Sequence, residues 1–262
     1  MLPPGDGFLY HAAPYRVFQS MKHDQQRRSR AMTPSTHTGR PAPQPRNAEA
    51  TRQRILNAAR TEFAANGLDG ARVDTIALAA RANKRMIYHY FENKENLFRV
   101  VLERAYLDIR TKAARLDLEA RPPLDAIREL VRFTWNYYIS NPEFITLVNT
   151  ENLCNARHIR TSRLLRPISH RFMRRVQALL DRGAHDGMLR PGLDAVQLVM
   201  TITAICHYYF TSRHTASVLF SRDFSAPEAL RERLDFNMET IMCLVRRDRA
   251  DTAGDGPALS GG

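Results

Sequence analysis

The chain has no long apolar run. A membrane-spanning helix needs roughly 18 or more consecutive apolar residues. The most apolar stretch, 198–210, is shorter and is interrupted by Thr201, Thr203 and His207. The N-terminus also lacks the basic, apolar and small-residue pattern of a secretory signal. Cysteine is scarce, with only Cys154, Cys206 and Cys243. Odd in number and far apart, they fit reduced thiols in a cytosolic protein better than disulfides or a zinc site. Gly-rich phosphate loops, metal-spaced Cys/His clusters and nucleophile motifs are missing too. Cys206 and His207 adjoin, but neighbours on a helix point about 100° apart, and Glu151 with His158 has no third ligand in reach. The expectation is a cytoplasmic protein with no membrane partner, no metal or cofactor and no enzymatic activity.

Acidic residues are outnumbered. Against 27 Asp and Glu stand 39 Lys and Arg, a formal charge of +12 and a pI near 10.2. Such a balance favours a polyanion, either nucleic acid or an anionic membrane surface, and charge alone does not separate them. The 44% hydrophobic content is ample for a folded core. Residues 1–46 differ from the rest, being rich in Pro, Gly, Ser, Thr and Arg without an apolar period. They read as a disordered basic arm. Arg16, Lys22, Arg27, Arg28, Arg30, Arg40 and Arg46 face only Asp6 and Asp24 there, a charge that would add non-specific phosphate attraction. The plain alternative is a dispensable extension, or a start placed too early, because Met21 and Met32 lie inside it. Residues 249–262, small and Gly-rich, read as a flexible tail.

Between these ends, apolar residues recur at three- and four-residue steps, while Gly and Pro fall between the periodic segments. The pattern predicts helices over 48–66, 73–80 and 84–91, then one capped by Asn93. Further helices are expected over 123–140, 142–152, 164–185, 195–213 and 227–247. In the first, Ile55, Leu56, Ala59, Phe63 and Ala64 share a face, and Gly67 follows as terminator. The second would bury Val73, Ile76, Ala77 and Ala80, and the third Ile87 with Tyr90 or Phe91. Two short helices joined by the turn Arg81, Ala82 and Asn83 suggest a helix-turn-helix, with the small Ala77 allowing a close crossing. Its free face would offer Lys84, Arg85, Tyr88 and His89. Arg bonds guanine bidentately, whereas Tyr and Lys more often hold phosphates. A basic solvated helix in some other bundle is the bland alternative.

The stretch 54–98 resembles the N-terminal domain of the TetR family. The residues that carry the likeness are Ile55, Leu56, Ala58, Ala59, Phe63, Ala64 and Gly67, then Val73, Ile76 and Ala77. The most specific part is Ile87-Tyr88-His89-Tyr90-Phe91, followed by Lys94-Glu95 and Leu97-Phe98. The resemblance implies an all-α protein, a three-helix helix-turn-helix domain over 47–93 followed by a helical effector-binding and dimerisation bundle over 94–248. It places Lys84, Arg85 and His89 at the DNA, with Asn83 beside them and Arg72 and Thr75 near the start of the second helix. Tyr88, Tyr90 and Lys94 become phosphate contacts or props for them. Where the family has Gly in the turn, this chain has Arg81, at a cost of about 1 kcal/mol if the backbone adopts positive φ. Arg85 replaces a commonly small residue, which brings a cation toward the groove.

The same resemblance implies a homodimer on a pseudo-palindromic double-stranded operator and a small-molecule effector of unknown identity. Helical spacing aligns Val199, Ile202 and Cys206 on one late helix, and Leu234, Met238 and Ile241 on the last. These are the candidate dimer stripes, or else plain intramolecular core. For the effector pocket the candidates are Trp135, Tyr138, Phe144, Asn149, Asn152, His158 and His207, aromatic and polar residues suited to a small planar molecule. Residues 141–160 resemble members of the family that regulate pyrimidine or aromatic catabolism. The function expected is sequence-specific DNA binding, as a repressor released by its effector. An activator, a co-effector-dependent regulator or a helical ligand-binding module without operator recognition are the alternatives.

Overall fold

The computed structural model describes residues 45–247. Residues 1–44 of the expected arm and the whole expected tail, 249–262, lie outside the described residues, while Pro45 and Arg46, expected in the arm, open the first helix. Those described form nine α-helices, α1 (Pro45–Gly70), α2 (Val73–Ala79), α3 (Lys84–Phe91), α4 (Lys94–Ala113), α5 (Pro123–Ser140), α6 (Pro142–Leu153), α7 (Leu165–His185), α8 (Ala195–Leu219) and α9 (Pro227–Val245), with a 3-10 turn at Ile159–Thr161. No strand occurs among them, only one isolated antiparallel bridge between Leu189 and Arg246.

Local chemistry sets the N-terminal boundaries. α1 breaks from helical geometry at Gly67, where φ is 66°. An added Cβ there would touch nothing, so the need for glycine is conformational. Lys94 then donates to the carbonyls of Asp69 and Ala71, both at 3.3 Å, and so ties the α1–α2 connection to the start of α4. In the turn after α2, Arg81 takes φ 50°. Arg54 of α1 steadies that turn by donating to the carbonyl of Ala80 at 3.1 Å. Asn83 and Asn93 cap α3 and α4, accepting from the amides of Arg85 (2.9 Å) and Asn96 (2.7 Å).

Two apolar cores result. In the first, Ile55, Ala59 and Phe63 of α1 meet Ile76 and Ala77 of α2, Ile87 and Phe91 of α3, and Leu97, Phe98, Val101 and Leu102 of α4. Phe63 and Phe98 meet edge to face at 5.1 Å. One further member, Leu147, comes from α6. The second core unites α5, α7, α8 and α9 around Ile127, Leu130, Trp135, Val176, Leu198, Ile202 and Ile241. Two arginines of α7 fasten the α4–α5 connection to it. Arg175 donates to the carbonyl of Leu116 (2.7 Å) and pairs with Glu119, while Arg182 donates to the carbonyls of Leu118 and Arg121, both at 2.8 Å.

Two expectations need correction here. α8 runs on to Leu219, six residues past the expected end. In the segment after Arg213, Thr215 and Ser217 return their hydroxyls to the carbonyls of Ser212 and Arg213 (2.8 and 2.7 Å), as polar residues inside a helix do. The proposed dimer stripes face the wrong way. Ile202, Cys206 and Ile241 are fully buried within one chain, and Val199, Leu234 and Met238 pack partly buried against the same core. Helical period identifies an apolar face but does not say whether its partner is the same chain or a second copy. Apolar residues that α8 turns to solvent are Val196, Met200 and Tyr208, with Val218 and Leu219 at its C-terminal end, joined on α9 by Phe236.

Candidate DNA-reading head and effector cavity

The short helix α3 buries Ile87 and Phe91, which fixes its rotation on the first core. Lys84, Arg85, Tyr88 and His89 are thereby exposed together, and Tyr90 is half-buried against Phe91. The four exposed residues are not equivalent. Lys84 pairs with Asp74 of α2 at 2.9 Å, and this hydrogen bond holds its ammonium above the ordinary lysine range. Arg85 makes no side-chain bond to any described residue, so its guanidinium is free to reach out. Arg72 and Thr75 are exposed at the start of α2 beside this face. Asn83 spends its side-chain oxygen on the α3 cap, and Lys94 is held by two carbonyls. Asn83 thus holds the start of α3, and Lys94 the α1–α2 connection. Sequence inspection missed Arg54, whose bond to the turn carbonyl needs tertiary geometry to be seen.

Farther along the chain, α4, α5, α6, α7 and α8 enclose a cavity of about 110 Å³. Tyr138, Phe144 and His207, three of the residues expected at a pocket, line it. The others do not. Trp135 is buried against Tyr209 and Phe210, with ring centroids 5.4 and 4.7 Å away. Asn149 lines a separate cleft of about 340 Å³ between α6 and α8. Asn152 is exposed and returns its amide to the carbonyl of Val148. His158 lies against Phe98 of the first core, 5.1 Å between centroids. Its Nδ1 meets Glu151 at 2.7 Å, and the other carboxylate oxygen accepts from the amides of His158 and Ile159. That pair is a buried staple of the 3-10 turn, with its carboxylate oxygens already engaged.

Tyr106, Arg110, Phe133, Thr134, Phe172 and Thr203 also line the cavity and were not anticipated. Arg110 carried a readable signal. It follows Tyr106 by four residues, which puts a cation on the apolar face of α4. Burial raises the Tyr138 phenol to about 12, with Thr203 bonded to its hydroxyl. Burial likewise pushes the Cys206 thiol to about 12, far from a reactive thiolate, and lowers the His207 imidazole.

A helix-turn-helix with a free basic and aromatic face, seated on a helical bundle that encloses a cavity, defines a DNA-binding transcription regulator. Residues 55–101 match the bacterial regulatory proteins of the tetR family, and residues 123–241 match the tetracyclin repressor-like C-terminal domain. The chain is 36% identical over 200 residues to the HTH-type transcriptional repressor NicS of Pseudomonas putida, covering 76% of this chain and 94% of that protein. It is 30% identical over 189 residues to the HTH-type transcriptional repressor SCO4008 of Streptomyces coelicolor, covering 71% and 92%. Among solved structures, the putative transcriptional regulator SCO4942 of S. coelicolor superposes with a TM-score of 0.58 at 27% identity, over 76% of this chain and 99% of that one. The chain belongs to the TetR family of bacterial transcription regulators. Among its described residues no helix is long and apolar enough to cross a membrane.

Proposed function

We propose that this chain is a homodimeric cytoplasmic repressor whose hold on its operator weakens when a small planar molecule enters the cavity. The observation that carries the reading is the double membership of α4 and α6. α4 gives Leu97, Phe98, Val101 and Leu102 to the reader's core, and Tyr106, Ile109 and Arg110 to the cavity wall. α6 gives Leu147 to the reader's core and Phe144 and Val148 to the cavity. The ion pair between Arg60 of α1 and Glu143 of α6 adds a second tie. A ligand that repositions either helix thus repositions the reading head. Moving such an equilibrium from 1:99 to 99:1 takes about 5.5 kcal/mol of preference for one state. The repressor names of two relatives support the sign of the response.

Two copies would meet through the outward stripe of α8, Val196 and Met200 one turn apart and Tyr208 two turns further on, together with Phe236 of α9. A two-fold dimer presents its recognition helices about 34–36 Å apart, which calls for a pseudo-palindromic site. Arg85 would read a base edge, with Tyr88, His89, Thr75 and Arg72 beside it at base edges or phosphates. Tyr90, Asn83 and Lys94 would hold the helix in place, and Lys84 would add a charge already shared with Asp74. The test is fluorescence anisotropy on DNA from the gene's own upstream region, against a random duplex and the Arg85→Ala/Tyr88→Ala double variant. Specific binding is expected to exceed random binding by about a thousandfold or more and to be lost in the variant. Equal, salt-sensitive binding to both duplexes would refute sequence reading at these sites.

A further inference from the structure

The cavity holds a charge with no partner. Arg110 projects from α4 into it, and its side chain makes no hydrogen bond or ion pair with any described residue. Its Nε is fully enclosed and unpaired. What it does touch is the face of Phe172, 4.6 Å from guanidinium carbon to ring centroid. An aromatic face offsets part of the burial of a cation but accepts none of its five N–H bonds. His207, from the facing helix α8, likewise has its Nε2 enclosed and unpaired. No carboxylate lines the cavity; its other polar groups are the hydroxyls of Tyr106, Thr134, Tyr138 and Thr203. Two donor-bearing groups thus converge on a space with no anion of the protein's own.

Resting on the effector reading above, we infer that the cavity takes a single-ring aromatic carboxylate, its carboxylate on Arg110 and its ring between Phe144 and Phe172. Size sets the single ring. A cavity of about 150 Å³ admits benzene, and this one measures about 110 Å³, so it holds no more than one ring and its walls must widen to take it. Charge sets the carboxylate, because the half-buried guanidinium has an enclosed, unpaired Nε and no acceptor, and a carboxylate meets its fork with two parallel bonds. His207 is neutral, its pKa lowered by burial, and so offers one nitrogen to a hydroxyl or ring heteroatom of the ligand.

The test uses the full-length protein, thermal denaturation and titration calorimetry, with benzoate and the three hydroxybenzoates as probes and benzamide as the neutral match in shape. Arg110→Met removes the charge at similar length, and Arg110→Lys keeps it without the fork. At least one carboxylate is expected to raise the wild-type melting temperature saturably, with benzamide about ten- to hundredfold weaker. Arg110→Met should lose that response by a similar factor, yet melt without ligand no lower than wild type, since the side chain removed has no hydrogen-bond or ion-pair partner and its Nε is enclosed. Arg110→Lys should fold and bind with intermediate strength. The inference is overturned if no ring carboxylate binds, if benzamide matches benzoate, or if Arg110→Met keeps the response. It is equally overturned if Arg110→Met melts lower with binding intact, which would make Arg110 a structural residue. Operator anisotropy separates the two readings. A carboxylate that binds as described but leaves operator affinity unchanged sinks ligand release and spares the site. A neutral ring compound that releases DNA does the reverse.

Discussion

Replacing Leu147 with Ala tests whether α6 couples the two cores. Leu147 is fully buried, and its neighbours belong to the reader's core although its helix belongs to the effector half. The substitution removes three carbons. At about 0.8 kcal/mol for each buried methylene, the transfer loss is about 2.4 kcal/mol. The cavity left behind raises the total to about 3–4 kcal/mol, within the range for such changes. In a domain of this size each kcal/mol moves the melting temperature by about 2–4 °C, so a fall of about 6–16 °C is expected. Leu153 provides the control on the same helix. It is 84% exposed, and Leu153→Ala should stay within about 0.5 kcal/mol of wild type. Circular dichroism melts of both variants read the stability. Operator anisotropy with and without effector reads the coupling, which Leu147→Ala should weaken by about 0.5–2 kcal/mol, up to roughly thirtyfold in the affinity ratio. A melting temperature that falls as expected while effector still releases DNA by the wild-type factor would refute α6 as the conduit.

Three further outcomes follow from the geometry. Arg85→Ala should cost about 1–3 kcal/mol on the operator and relax specificity at one base pair. Lys84→Ala should cost less and equally on all sequences, since Asp74 already compensates that charge; a larger loss from Lys84 in a competition assay would reverse this ranking. Met200→Glu/Tyr208→Glu should yield a folded monomer in sedimentation velocity, because both side chains face solvent within one chain (62% and 69% exposed). A persistent dimer would place the interface elsewhere. Glu119 has its pKa lowered to about 2, chiefly by the Arg175 hydrogen bonds. A depressed carboxylate contributes stability above its unfolded value, and that contribution is lost as pH falls from about 4.5 toward 2. Glu119→Gln should remove this acid-side slope, by less than about 1 kcal/mol because the pair is solvent-screened. An unchanged pH profile of melting would discount the clamp.

The helical boundaries were legible because their signals are local. Pro123 and Pro142 open helices, Asn83 and Asn93 cap them, and Gly67 adopts the left-handed conformation that ends the first long run. Each acts through its own backbone or through residues a few positions away, so one sequence suffices to read it. The exposed face of α3 was equally accessible, since burying Ile87 and Phe91 leaves Lys84, Arg85, Tyr88 and His89 no other direction. The end of α8 was not. Thr215 and Ser217 are polar residues that favour loops in general, and only their return to helical carbonyls shows that they continue the helix here.

The cavity and the dimer face demanded information that period does not hold. Val199, Ile202 and Cys206 recur on α8 at steps of three and four residues, and Val196, Met200 and Tyr208 at steps of four and eight, so both sets share helical spacing on one helix. Periodicity is symmetric between such stripes. Which stripe faces inward is decided by α5, α7 and α9, elements distant in sequence. The same distance hid Arg110. On α4 it reads as one more basic residue in a basic chain, yet its position four residues after Tyr106 places it among apolar neighbours. A charge on the buried side of an amphipathic helix is the exception that composition cannot explain. Arg213 and Arg233 likewise hold an enclosed, unpaired Nε near an aromatic face, but among the described residues Arg110 is the arginine that lines the α4–α8 cavity.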